Sequence, residues 1–215
     1  MFDQCIAYLS NTNLLKGGVL ITITWWAWFK RDNRDPYNRE HVILILFSCI
    51  VAIVLARTLA LTSPFRLRPV HEEGLHFLLP YGSTRATLSG WSSFPSDHAA
   101  MFFSLSTGLL FTHRQAGAFA LFYSTLFIAF PRIYVGLHYP TDIIAGAIIG
   151  ITIALIVNVY LVKNTMIQSI VNLSYSRPNV FYPLFFLFTY QLVDMFNDSR
   201  ALVGGVLKLV RSIIT

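Results

Sequence analysis

Charge is what this 215-residue chain has little of. Asp, Glu, Lys and Arg together make up 12% of it, against 55% for the hydrophobic set. A soluble domain carries about 25% charged residues, so an ordinary water-facing surface is excluded and lipid is the expected solvent. Cysteine is nearly absent too. Cys5 and Cys49 are the only two, and Cys49 lies inside an apolar run, so no disulfide framework is expected. The net charge is +6, but the basic residues form no continuous stripe. They are scattered between apolar runs, where membrane orientation and anionic headgroups can use them, and nucleic acid is not an expected partner. The N-terminal MFDQCIAYLSNTNLLK has no basic region before its first apolar stretch. A cleaved signal peptide is therefore not expected, and the stretch reads as a retained anchor.

What is present is a series of six apolar segments, at about 14–29, 42–62, 95–112, 116–130, 143–162 and 180–196. The fold class they predict is all-α: a polytopic membrane helix bundle of about six transmembrane helices, in one domain over 1–215. The first segment ends in WWAWF, rings suited to a membrane interface. The fifth holds twenty residues without a charge, and its Gly146 and Gly150, four apart, allow a neighbouring helix to approach closely. The tail over 201–215 reads as a short interfacial helix or the end of the sixth element. Six crossings would put the 63–93 loop and the 131–140 turn on one side. The basic 30–40 turn, His113–Arg114 and the 163–177 connection fall on the other. Basic turns favour the cytoplasm, so the first pair is expected on the extracytoplasmic face of the cell (inner or plasma) membrane.

That outer face collects the polar residues that hydrocarbon would not tolerate without a purpose: Arg57, Arg66 and Arg68, then Ser96, Asp97 and His98, then Arg132, His138 and Asp142. Arginines with two histidines and a carboxylate at helix ends suit a doubly charged tetrahedral anion, since the guanidinium fork offers paired donors to phosphate oxygens. In FPSDHAA, Pro95 suits the first helical position, which would leave the amides of Ser96 to His98 free as an anion cradle. In PRIYVGLHYPTD, Pro140 looks like another helix opener. It places Asp142 in the first turn, within reach of His138, where a bond to one ring nitrogen would leave the other free to attack. HEEGLH, at 71–76, spaces its histidines five apart rather than four, so a zinc site is not read there. Asp97, His98, His138 and Asp142 could group around a metal, but the arginines nearby would repel a cation. No metal and no cofactor is expected. Arg85 and His113 read as solvated surface groups.

These residues resemble the three-part signature of the type 2 phosphatidic acid phosphatase family, which shares its site with vanadium-dependent haloperoxidases. The third part is Arg132, five residues, His138, three residues, Asp142; the second is Pro95-Ser96-Asp97-His98; the first ends in Arg68-Pro69. FPSDH followed by RIYVGLHYPTD is most similar to bacterial undecaprenyl diphosphate phosphatases of the bacitracin-resistance type. Three departures stand out. Leu61 occupies the position of the family's lysine, a role open to Arg57 or Arg66. Pro131 replaces a serine, and Asp97 replaces a glycine, where it either points away or tunes His98. The resemblance implies attack on phosphorus by His138, orientation of His138 by Asp142, and charge stabilisation by Arg68, Arg132 and one more arginine, with amides near Ser96 helping. It implies that His98 serves as general acid and then base. The implied partners are membrane lipids and a lipid phosphate or diphosphate substrate. A polyprenyl diphosphate comes first, then phosphatidic acid or phosphatidylglycerol phosphate. A phosphotransferase, or a headgroup-binding or transport protein, would use the same residues. A soluble haloperoxidase is excluded by the hydropathy.

Overall fold

Apolar runs in lipid satisfy their backbone within one segment only as helices. The computed structural model describes residues 2–30, 36–80, 88–199, 202 and 205, and it contains helices and no strand among them. Arg31 and Arg34 of the basic turn, Arg85 and nearly all of the 201–215 tail lie outside the described residues. The helices are α1 (Phe2–Asn11), α2 (Leu14–Phe29), α3 (Asn38–Thr62), α4 (Asp97–Thr112), α5 (Arg114–Tyr134), α6 (Pro140–Leu161), α7 (Thr165–Ser176) and α8 (Pro178–Val193). Three of them, α3, α5 and α6, are long and apolar enough to cross a membrane, with 25, 21 and 22 residues. Large apolar side chains such as Phe47, Val54, Phe122, Ile148, Ile156 and Leu184 are exposed on the outside. A lipid-facing exterior accounts for them.

Two helices go beyond the six segments. The first is α1, which precedes them and buries Ile6. The second is α7, which fills the 163–177 connection. The Asn164 side chain accepts the Met166 N–H at 2.8 Å to start α7, and Val171 and Ser174 form its buried face. Asparagine before apolar residues at helical spacing was a readable start signal.

At the centre stands α4, packed against α2, α3, α5 and α6. Its Phe102, Leu105 and Leu109 belong to a core shared with Leu20 and Trp28 of α2 and with Phe181 and Phe185 of α8. Trp28 stacks on Phe181 with ring centres 5.2 Å apart. The contact that places the polar residues is α4 against α6. A Cβ on Gly146 would lie 2.4 Å from the Ser96 carbonyl oxygen, and one on Gly150 would lie 2.1 Å from that of Ala100. Only hydrogen fits at either position. The two backbones therefore meet, and the Ser96 N–H donates to the Asp142 carbonyl at 3.1 Å.

Candidate active site

The 135–142 turn is built by its own backbone. Gly136 takes a φ of +72°, and a Cβ there would strike the Phe77 ring at 2.6 Å, so the residue has to be glycine. Its carbonyl accepts the Val70 N–H at 3.0 Å, tying the turn to the segment after Arg68. The Arg132 carbonyl accepts from Leu137 and His138. Pro140 then opens α6, as the sequence predicts, and the Asp142 carboxylate accepts the Tyr139 N–H at 2.8 Å.

His138 is buried, and its Nδ1 donates to the Ser93 carbonyl at 2.8 Å. The expected bond to Asp142 is not made. That carboxylate is 3.8 Å from Nδ1, too far for a hydrogen bond, because its oxygens are engaged by Tyr139 and by Arg66 Nη1 at 2.7 Å. The carbonyl therefore sets the tautomer: with the proton on Nδ1, Nε2 keeps its lone pair, 3.4 Å from Arg68 Nη1. Burial pulls the His138 pKa below the ordinary histidine value. Asp142 opposes this shift, and the positive charges of Arg68 and Arg132 add to it. The imidazole is thus neutral at neutral pH.

His98 is held by a different oxygen. Ser96, not Pro95, lies at the boundary of α4. The serine is its N-cap, with Oγ accepting the Ala99 N–H at 3.3 Å, and the helix starts at Asp97. The expected cradle of free amides is not formed. The Ser96 N–H is bonded to Asp142, and the His98 N–H is taken by Asp97 Oδ1 at 2.8 Å. A short acidic side chain captures nearby amides in this way at helix starts. The same Oδ1 accepts from His98 Nδ1 at 2.8 Å, and Oδ2 lies 3.4 Å from Arg57 Nε. Arg57, Asp97 and His98 thus form one chain.

Both histidines line a single polar cavity of about 410 Å³, together with Lys16, Arg57, Arg68, Asp97 and Arg132. A second, more apolar cavity of about 510 Å³ shares Arg57, Arg68, Trp91, Asp97 and His138, and extends along Ala60, Leu61 and Phe65 at the end of α3. Arg68 is fixed by three carbonyls, those of Trp91, Leu137 and Ser92, at 3.3, 2.8 and 3.1 Å. Ser96 and Arg66 line neither cavity. Arg66 stands behind Asp142, bonded to it and to Thr141 Oγ1 at 2.9 Å, with its guanidinium 4.2 Å from the Tyr139 ring centre. Lys16 and Ser93 are the site residues that sequence reasoning missed. No local signal marks either of them. Ser93 acts through its carbonyl, and Lys16 arrives from a distant helix.

A polar chamber with four cationic side chains and two fixed imidazoles, sharing part of its lining with a more apolar one, can hold a phosphate whose ester carries a hydrocarbon chain. Residues 41–166 match the PAP2 superfamily. The chain is 30% identical over 153 residues to undecaprenyl-diphosphatase BcrC of Bacillus subtilis, covering 71% of this chain and 72% of that one. It is 27% identical over 131 residues to the putative undecaprenyl-diphosphatase YbjG of Escherichia coli, covering 61% and 60%. A lipid A 4'-phosphatase of Bacteroides thetaiotaomicron matches at 40% over 87 residues, covering 40% of this chain and 38% of that one. The crystal structure of Aquifex aeolicus LpxE aligns with a TM-score of 0.47 and 28% identity, covering 74% of this chain and 84% of that one. On the extent of the family match and the BcrC likeness, the protein is a member of the PAP2 superfamily.

Proposed function

We propose that this protein is a metal-independent lipid phosphatase that hydrolyses a polyprenyl diphosphate, undecaprenyl diphosphate first among candidates, to the monophosphate. The observation that carries the reading is the pair of imidazoles on one cationic cavity, each with Nδ1 bound to an oxygen of the protein. Nε2 of His138 attacks the terminal phosphorus, and the P–O bond to the lipid phosphate breaks. His98 hands its proton to the leaving oxygen. The bound phosphate's negative charge, with Asp97 behind the ring, holds His98 as imidazolium beforehand. In the second step neutral His98 takes a proton from water as the water oxygen attacks phosphorus. The P–N bond breaks and inorganic phosphate leaves. Arg68 and Arg132 stabilise the charge on the equatorial oxygens, which makes a metal ion unnecessary. Arg57 holds Asp97, and Asp142 tightens the turn that carries His138.

The apolar cavity beside the end of α3 takes the first part of the lipid chain. In this reading α2, α3, α4, α5, α6 and α8 make six crossings. The cavity opens on the extracytoplasmic face of the cell membrane, and the basic 30–40 turn lies in the cytoplasm. The test is phosphate release by purified protein in detergent with EDTA present. Undecaprenyl diphosphate, phosphatidic acid, phosphatidylglycerol phosphate and a lipid A phosphate would be offered in parallel. Release from the polyprenyl diphosphate that survives chelator and vanishes in His138→Ala is expected. Release that needs a divalent ion, or persists without His138, would defeat the mechanism.

A further inference from the structure

Lys16 lies in the π-helical turn, Leu14–Gly18, that opens α2. That turn is pinned on three sides. The Leu15 carbonyl accepts from the Tyr123 hydroxyl of α5. The Asn13 amide donates to Asp194 at 3.1 Å, just beyond α8. A Cβ on Gly17 would lie 3.2 Å from the Phe102 ring and 3.2 Å from Val193 Cα, so glycine lets the turn sit directly against α4. Phe102 is one helical turn after His98, and Lys16 is thereby delivered to the wall of the polar cavity.

The cations of that cavity differ in how they are paired. Arg57 has Asp97, and Arg68 has three carbonyls. Arg132 is 95% buried, and neither its guanidinium nor the Lys16 ammonium has a hydrogen bond or ion pair with any described residue. The two are within electrostatic reach of each other, and Lys16 also acts on His98. Asp194 is the acid nearest in influence to Lys16, but its oxygens accept from Asn13 and from the Asp198 N–H at 2.8 Å. Asp97 also acts on Arg132, but its oxygens are taken by His98 and Arg57, so neither Arg132 nor Lys16 has an acid of its own, and two like charges on one cavity are unfavourable unless an anion joins them. Leu61 lines the apolar chamber instead and is largely exposed. Arg66, paired with Asp142, lies outside both chambers.

We infer that Lys16 is a phosphate-binding residue of this site, its ammonium and the Arg132 guanidinium together gripping the non-bridging oxygens of one phosphoryl group. The identity of that group as a lipid phosphate rests on the phosphatase reading above; the anion contact itself does not. In this assignment Lys16 of α2 supplies a positive charge that Leu61 does not.

Two measurements test this on the full chain in detergent. The first is binding of orthovanadate by calorimetry to wild type, Lys16→Met, Lys16→Arg and, as a control away from the cavity, Lys163→Met. Loss of one charge-assisted contact weakens binding by about ten- to a hundredfold, expected for Lys16→Met alone, with Lys16→Arg retaining most affinity. The second uses only wild type, so folding of a variant does not enter: lysine acylation followed by mass spectrometry, with and without inorganic phosphate. Phosphate should protect Lys16 and leave Lys163 unchanged. Unaltered vanadate affinity in folded Lys16→Met, or equal acylation of Lys16 with and without phosphate, overturns the inference. If lipid phosphates are hydrolysed and His138→Ala is inert while Lys16 shows neither effect, the inference falls and the phosphatase reading stands. If no lipid phosphate is hydrolysed but both Lys16 effects appear, the reverse holds.

Discussion

Asp97 Oδ1 accepts from His98 Nδ1 at 2.8 Å, and the same carboxylate reaches Arg57 through its other oxygen at 3.4 Å. His138, across the cavity, has its Nδ1 on a backbone carbonyl instead. One imidazole is therefore hydrogen-bonded to a carboxylate, and the other to a backbone carbonyl with the Asp142 carboxylate 3.8 Å away. In the proposed mechanism the first carries a proton and the second keeps a lone pair free.

Asp97→Asn leaves the size of the side chain unchanged and removes the charge behind His98. In the proposed mechanism kcat for phosphate release falls by about 10²-fold, the scale of general acid–base assistance, while KM moves little. An unchanged kcat would remove Asp97 from any role in proton transfer.

The pH profile follows from the surroundings of His138. Burial, together with Arg68 and Arg132, lowers its pKa against the pull of Asp142. In the proposed mechanism its neutral form is the nucleophile, so activity is present above that pKa and is lost only as pH falls through it. The acid limb of kcat/KM that belongs to His138 should therefore lie below the ordinary histidine value of about 6.5. A His138 limb at or above that value would contradict the environment described.

Arg66 and Arg132 should part company. Arg132 is buried on the cavity wall, whereas Arg66 is half exposed behind Asp142. Arg132→Ala should cost about 10²- to 10³-fold in kcat, the magnitude of one lost oxyanion donor. Arg66→Ala should cost less than about tenfold, because Arg66 lines neither cavity and Asp142 keeps its bond from Tyr139. Equal losses in steady-state assays would mean that Arg66 reaches the phosphate.

Gly150→Ala puts a methyl where the Ala100 carbonyl oxygen now stands, 2.1 Å from the new Cβ. The helices α4 and α6 must separate, at a cost of about 1–3 kcal/mol for overpacking. Thermal melting in detergent should drop, and phosphate release with it, because the α4–α6 contact brings the two histidines to one cavity. A variant with wild-type melting would show that the contact is slack.

Much of this site was legible along the chain because its chemistry sits in short motifs at helix starts. Pro140 opening α6 and the close helix approach at Gly146 and Gly150 appear in the structure as the local pattern predicts, whereas the Arg132–His138–Asp142 spacing does not give the expected bond between His138 and Asp142. The start of α4 did not follow the pattern. Proline is an acceptable first helical residue, but Ser96 caps the helix better with its own oxygen, so Pro95 stays outside. Asp97 could not be assigned from sequence, since its three bonds run to a neighbour, twice, and to a residue 40 positions away. The helix within 163–177 is weakly marked in sequence, because helical spacing over twelve residues is a weaker signal than an uninterrupted apolar run.

Composition and periodicity alone determined that the chain is helical and apolar-faced, because hydrocarbon leaves the backbone no other economical way to bond to itself. Spacing within single turns determined which histidines and arginines stand at helix ends. Only the tertiary structure decided which oxygen holds each imidazole, that Arg66 stands behind the site, and that Lys16 enters it. Those outcomes depend on distances between segments far apart in the chain, set by glycine-sized gaps between helices rather than by any residue's neighbours in sequence.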